Sequence, residues 1–174
     1  MSKRIYSQEL NLQDEAKEQF IQRVNSVLPN FPDEVISQWV FRHNADFIKK
    51  FTHLNIEDWT FNLTEMSTEE IEKIELFKVT KARCLEAGKN ILTNPDAKES
   101  FLGKYMLEFG TFPSPIVVFK DFYDQNDFTG ESFLLPLHLA EGHRRWSFLM
   151  TMAAFRLKHF TNLQDNHKVY LVEF

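Results

Sequence analysis

Five consecutive residues narrow the folds open to this chain more than any other feature. Pro115-Ile116-Val117-Val118-Phe119 is an apolar run with no polar alternation, and a run of that kind reads as a buried strand rather than one solvated on one face. Three further segments read as strands. Trp59-Thr60-Phe61-Asn62-Leu63 alternates apolar and polar residues at the strand period. Ser132 to Leu139 is the next, and Pro136 within it implies an edge or a bulge. Val169-Tyr170-Leu171-Val172 is the last.

Helical spacing fills the rest. Leu10, Leu12, Ala16, Phe20, Val24, Val27 and Leu28 put one apolar face on a helix over 8–28, ended by Pro29. A second helix starts near Pro32-Asp33, where proline suits a first turn, and runs to about Phe51. Ser67-Thr68-Glu69-Glu70 is a capping-box pattern. It opens a helix reaching Ala87, with Gly88 as a stop. Asn94-Pro95 opens another, closed by Gly110, and residues 143–158 form the last. Residues 1–7 read as frayed or as an edge strand. Two helices followed by strand, helix, helix, strand, strand, helix, strand predict an α+β fold. A helical extension over 1–57 precedes a mixed-sheet core over 58–174.

Composition removes several classes. Hydrophobic residues make up 43% of the 174, including 18 Phe and 3 Trp, enough for an aromatic-heavy core. A net charge of -5 gives no support for nonspecific nucleic-acid binding. Cys84 is the single cysteine, so no internal disulfide can form, which fits a reducing cytoplasm. The N-terminus lacks the apolar run of a signal peptide, and no stretch approaches the roughly 20 apolar residues that span a bilayer. The expectation is a cytoplasmic protein without membrane or nucleic-acid partners.

The chemistry concentrates in Ala140-Glu141-Gly142-His143-Arg144-Arg145-Trp146, between an apolar run and a long apolar helix. Glycine allows a sharp turn and a close backbone approach to a ligand. The helix after it directs its first N–H groups at whatever lies in the turn. Arginine at a helix N-terminus opposes the macrodipole, so Arg144 and Arg145 together call for an anion nearby. The other reading pairs both with acidic side chains on the helix surface. His143 suits general acid–base work, or else donates a hydrogen bond within the turn. Glu141 suits a general base or a Mg²⁺ ligand, or else a solvated turn residue or an ion-pair partner of Arg145. Ser147 lies one helical turn past His143 on the same face, as a phosphate contact or as a small packing residue.

From about residue 58 onward the chain resembles the ParB/sulfiredoxin-like superfamily. Phe112-Pro113-Ser114-Pro115-Ile116-Val117-Val118-Phe119 resembles that family's "PIVV" strand. Leu137-His138-Leu139-Ala140-Glu141-Gly142-His143-Arg144-Arg145 resembles its next strand and "GERR" turn. His167-Lys168-Val169-Tyr170-Leu171-Val172 resembles its closing strand. The resemblance implies nucleotide phosphates (ATP/ADP or CTP, with Mg²⁺) on Gly142, Arg144 and Arg145. It also implies hydrolysis or phosphotransfer if Glu141 or His143 serves as base. His143 stands where partition proteins have Glu, and where sulfiredoxin has its nucleophilic Cys, which excludes sulfiredoxin chemistry. Glu141 to Arg145 is closer to the Asp-Gly-His-Thr-Arg turn of ParB-like serine kinases, with Arg144 in place of Thr. No DNA-reading helix-turn-helix follows the core. The alternative is a non-enzymatic protein-binding module, such as an immunity, antitoxin or regulatory factor, with a degenerate site.

Other candidates are weaker. Six histidines lack metal-ligand spacing, so no zinc site is expected. Asp121, Asp124 and Asp127 share a loop that suits a cation or simple solvation. Phe122, Tyr123 and Phe128 in the same loop suit stacking or anchoring. Trp39, Phe41, Arg42, His43 and Asn44 suit a partner surface or ordinary packing, with packing preferred.

Overall fold

The structure, a computed structural model, describes residues 7–123 and 125–174. The expectation for the first residues of the chain, and Asp124 as a cation ligand, fall on residues outside these. The fold is α+β. Its residues divide into two compact units.

The first unit holds the described residues up to Phe61, with Asp121–Phe133 and Val172–Phe174. Its helices are α1 (Ser7–Leu10), α2 (Lys17–Val27), α3 (Asp33–Val35) and α4 (Asn44–Phe51). A π-helical segment, Ile36–Phe41, follows α3, and a 3₁₀ turn, Ile56–Asp58, follows α4. The helix expected over 8–28 is thus two helices. Arg23 on α2 donates to the carbonyls of Glu9 and Asn11 and pairs with Glu15, folding the 9–15 segment back onto α2. The helix expected over 32–51 also breaks, at Arg42 and His43. Buried Asn44 donates to Val40 O and Leu10 O there, at 3.0 and 2.8 Å. Trp39 is buried, stacked on Trp59 at 6.1 Å and edge-on to Phe47 and Phe51. The packing reading of Trp39 therefore holds. Phe122 belongs to the same aromatic cluster, edge-on to Trp59, and so anchors its loop. The sequence boundary near Asn55 to Asp58 left that loop with the other part of the chain.

The second unit, 62–120 with 134–171, carries the sheet. Its elements, with Thr60–Phe61 of the first strand and Val172–Glu173 of the last counted in the first unit, are β1 (Thr60–Ser67), α5 (Thr68–Glu72), α6 (Lys78–Gly88), α7 (Asn90–Thr93), α8 (Pro95–Glu99) and α9 (Phe101–Phe109). After these come β2 (Ile116–Lys120), β3 (Leu137–Glu141), α10 (His143–Ala154), α11 (Arg156–His159) and β4 (Asn166–Glu173). The strand order is β1-β4-β2-β3. β2 lies inside the sheet with Ile116 to Phe119 all buried, as an apolar run requires. β3 pairs antiparallel with β2, and the register jumps from Val118↔Leu139 to Val117↔Glu141. That bulge at Ala140 re-aims the strand just before Gly142. β3 begins at Leu137 rather than Ser132, so Pro136 sits outside the strand, where its missing N–H costs no ladder bond.

Side-chain caps set the helix starts. Ser67 accepts from Glu70 N at 3.2 Å while the Glu70 carboxylate accepts from Ser67 N at 2.7 Å, the expected capping box. Asn94 accepts from Asp96 N and Ala97 N at the start of α8. Ser100 accepts from Gly103 N at 3.1 Å, a second cap that splits the helix expected between Asn94 and Gly110. Gly88 ends α6, where the stop was expected, but without a left-handed turn. It is the buried last residue of α6, and a Cβ there would run into the Ser147 carbonyl and lie 2.6 Å from Thr151 Oγ1. Its missing side chain lets α6 seat against α10.

Candidate functional site

Gly142 links β3 to α10 at φ +97°, a left-handed conformation that L side chains rarely adopt. A Cβ there would also lie 2.5 Å from Ile116 Cγ2. The strand–glycine–helix turn therefore forms as expected, and α10 starts at His143.

The two arginines part company. Arg145 is buried and pairs with Glu141, four residues back at the end of β3. The two side chains are only 8% and 12% exposed, so both charges are largely out of water and neutralise each other. Arg145 also donates to Ser114 O at 3.1 Å and to Ser114 Oγ, tying the turn to the residues before β2. Arg144 is exposed, its guanidinium 5.4 Å from the centre of the Phe148 ring.

Arg144 faces a cleft of about 570 Å³, within the size range of small-molecule sites. His143, Arg144, Ser147 and Phe148 of α10 form one wall; Thr80, Arg83, Cys84 and Ala87 of α6 form another. Asn90, Asn94, Asp96 and Ala97, from α7 to α8, complete it. Of the residues expected at the site, His143, Arg144 and Ser147 line this cleft; Glu141, Gly142 and Arg145 do not. The Ser147 hydroxyl donates to His143 O at 2.6 Å, back into its own helix. Among the described residues, neither Arg83 nor Arg144 has a carboxylate within ion-pair distance, nor does Asp96 have a cation.

Arg83, Asn90, Asn94 and Asp96 were not singled out as site residues. A signal was present: Thr80, Arg83, Cys84 and Ala87 recur at helical spacing, forming a mixed stripe on a helix with little apolar face. Which partner that stripe would meet is not a local property.

The Asp-rich loop is held by its own hydrogen bonds. Asp127 accepts from Thr129 N and Oγ1 and from Glu131 N. Burial pushes its pKa up, but those bonds outweigh it and hold the carboxyl below its ordinary range. Among the described residues no three His, Cys, Asp or Glu converge as a metal site. No helix among them is long and apolar enough to cross a membrane.

Comparisons with protein-family models, with curated proteins and with solved structures returned no match.

Proposed function

We propose that the second unit binds a phosphate ester of nucleotide size in the cleft between α6, α8 and the start of α10. The observation that carries this reading is that two arginines, Arg83 and Arg144, line one cleft with no carboxylate partner among the described residues. Guanidinium forks match phosphate oxygens, and the start of a 12-residue helix adds N–H donors and a favourable dipole. The resemblance of the Gly142 turn to nucleotide-binding ParB-like turns supports the same ligand class, with ATP, ADP or CTP as first candidates. Here Arg145 holds the turn through Glu141 and Ser114, and Arg144 takes the phosphate.

Turnover, as Mg²⁺-dependent hydrolysis or phosphotransfer, would draw on His143 as acid–base. Glu141 would have to release Arg145 before acting as a base. Asp96 is the cleft's one carboxylate among the described residues, too few protein ligands to hold a metal unaided.

Melting temperature against a panel of nucleoside di- and triphosphates tests the reading. A ligand at 100 times its Kd stabilises by about 2.7 kcal/mol. Arg144→Ala should weaken binding about tenfold with little change in the unliganded melting temperature, as expected for loss of one charge-assisted contact at an exposed side chain. Equal affinity in variant and parent would overturn it.

A second reading, a non-enzymatic protein-binding module, rests on a different observation. Phe101, Tyr105 and Phe109 form a ridge along α9, with Phe101 76% exposed and its ring 6.1 Å from Tyr105. Tyr105 in turn lies 4.6 Å from Phe109. That reading expects no stabilisation by any nucleotide.

A further inference from the structure

The cleft is polarised by element. Both guanidiniums and His143 come from α6 and α10, whereas the wall from α7 to α8 brings two amides and a carboxylate. Asp96 is the second residue of α8; its own N–H is held by Asn94 Oδ1 at 2.9 Å. Asp96 lines the cleft together with Arg83 and Arg144, and among the described residues it forms an ion pair with neither. All three side chains are exposed and hydrated, and a ligand carrying both signs can replace that water by bridging them. Such a ligand carries an anion for the arginines and, apart from it, an N–H donor for the carboxylate.

We infer that Asp96 is a specificity-determining residue that selects nucleotides whose base carries an exocyclic amino group. The inference rests on the phosphate-binding reading above. A small aminoalkyl phosphate would leave most of about 570 Å³ to water, whereas a nucleotide fills a cleft of that size. Ala87, Ala97 and Phe148 supply apolar wall for a flat base. Adenine and cytosine present an amino group as a donor. Hypoxanthine and uracil present a carbonyl oxygen at the same position. A carboxylate can only accept, so it bonds the first pair and repels the second. Asparagine at this position can donate or accept, and so would not discriminate.

The test is titration calorimetry of the full chain with AMP, IMP, CMP, UMP and inorganic pyrophosphate. The parent protein, Asp96→Asn and Arg144→Ala are compared, with circular dichroism confirming the fold of each. AMP and CMP should bind about tenfold more tightly than IMP and UMP, a modest ratio because Asp96 is solvent-exposed. Asp96→Asn should remove that preference, and Arg144→Ala should weaken all four nucleotides together. Four equal affinities that still depend on Arg144 would overturn the role of Asp96 and leave the phosphate site standing. A preference that survives Asp96→Asn would also overturn it. No binding of any nucleotide or of pyrophosphate would overturn both readings.

Discussion

His167 should make the stability of this protein fall between neutral pH and pH 4.5, by an amount that can be worked from its surroundings. The imidazole is 1% exposed on β4, 5.3 Å from the Phe112 ring. The Thr68 hydroxyl donates to Gln164 O at 3.1 Å, so it accepts from His167 Nε2 at 3.0 Å. The Thr111 hydroxyl then donates to Nδ1 at 2.8 Å. This is a neutral ring with both nitrogens satisfied. Burial lowers its pKa to about 4 from an ordinary 6.5; Asp165 pulls it back up, and Arg156 pushes it further down.

In the unfolded chain the ring takes up a proton near pH 6.5, and in the fold only near pH 4. Between those values the unfolded state binds more protons, so stability rises with pH. The contribution is fully present above about pH 6.5 and is lost as pH falls toward 4. At 1.36 kcal/mol per pKa unit the whole effect is about 3 kcal/mol, of which about 2.5 kcal/mol is lost between pH 7 and 4.5. His167→Gln removes the titrating ring. The variant should be less stable than the parent at pH 7, through lost packing against Phe112. Its urea-unfolding free energy should then fall by about 2.5 kcal/mol less than the parent's on going from pH 7 to pH 4.5. Carboxylates common to both proteins cancel in that difference. Parallel stability–pH curves would refute the reasoning.

Two substitutions test the packing that positions the cleft. In an exposed helix Gly→Ala stabilises by about 1 kcal/mol. Gly88→Ala should instead destabilise by about 1–3 kcal/mol in urea unfolding, because the new methyl meets the Ser147 backbone and must part α6 from α10. Arg145→Met should cost about 3–5 kcal/mol by leaving the Glu141 carboxylate buried without its partner. Adding Glu141→Gln to Arg145→Met should recover much of that loss, and a double variant no more stable than the single one would show that the two side chains do not act as a pair.

The features legible in the sequence are those decided within a few residues. The unalternating 115–119 run, the Ser67 capping box, the Asn94-Pro95 start and the left-handed Gly142 are local matters of burial, donor and backbone angle. The features that were not legible depend on residues far apart in the chain. α1 and α2 separate because Arg23 reaches back 14 residues to Glu9. Gly88 reads only as a stop until Ser147, 59 positions later by subtraction, is found against it. The α6 wall of the cleft likewise has no meaning until α10 is beside it.

The two arginines of the turn show how far local reasoning can carry. Neighbours on an α-helix point about 100° apart, so Arg144 and Arg145 leave α10 in different directions. Arg145 turns toward Ser114 and toward Glu141 at the end of β3, and Arg144 lines the cleft. Of the expected two-arginine clamp only Arg144 lines the cleft, a division set by where β3 and Ser114 lie rather than by helical spacing. On the phosphate-binding proposal the second cation comes from another element, Arg83 of α6, which lines the same cleft. Because the two cations stand on separate helices, the strength of the proposed site depends on how closely α6 and α10 pack. Gly88, which lets them approach, is as much a part of the site's construction as the arginines themselves.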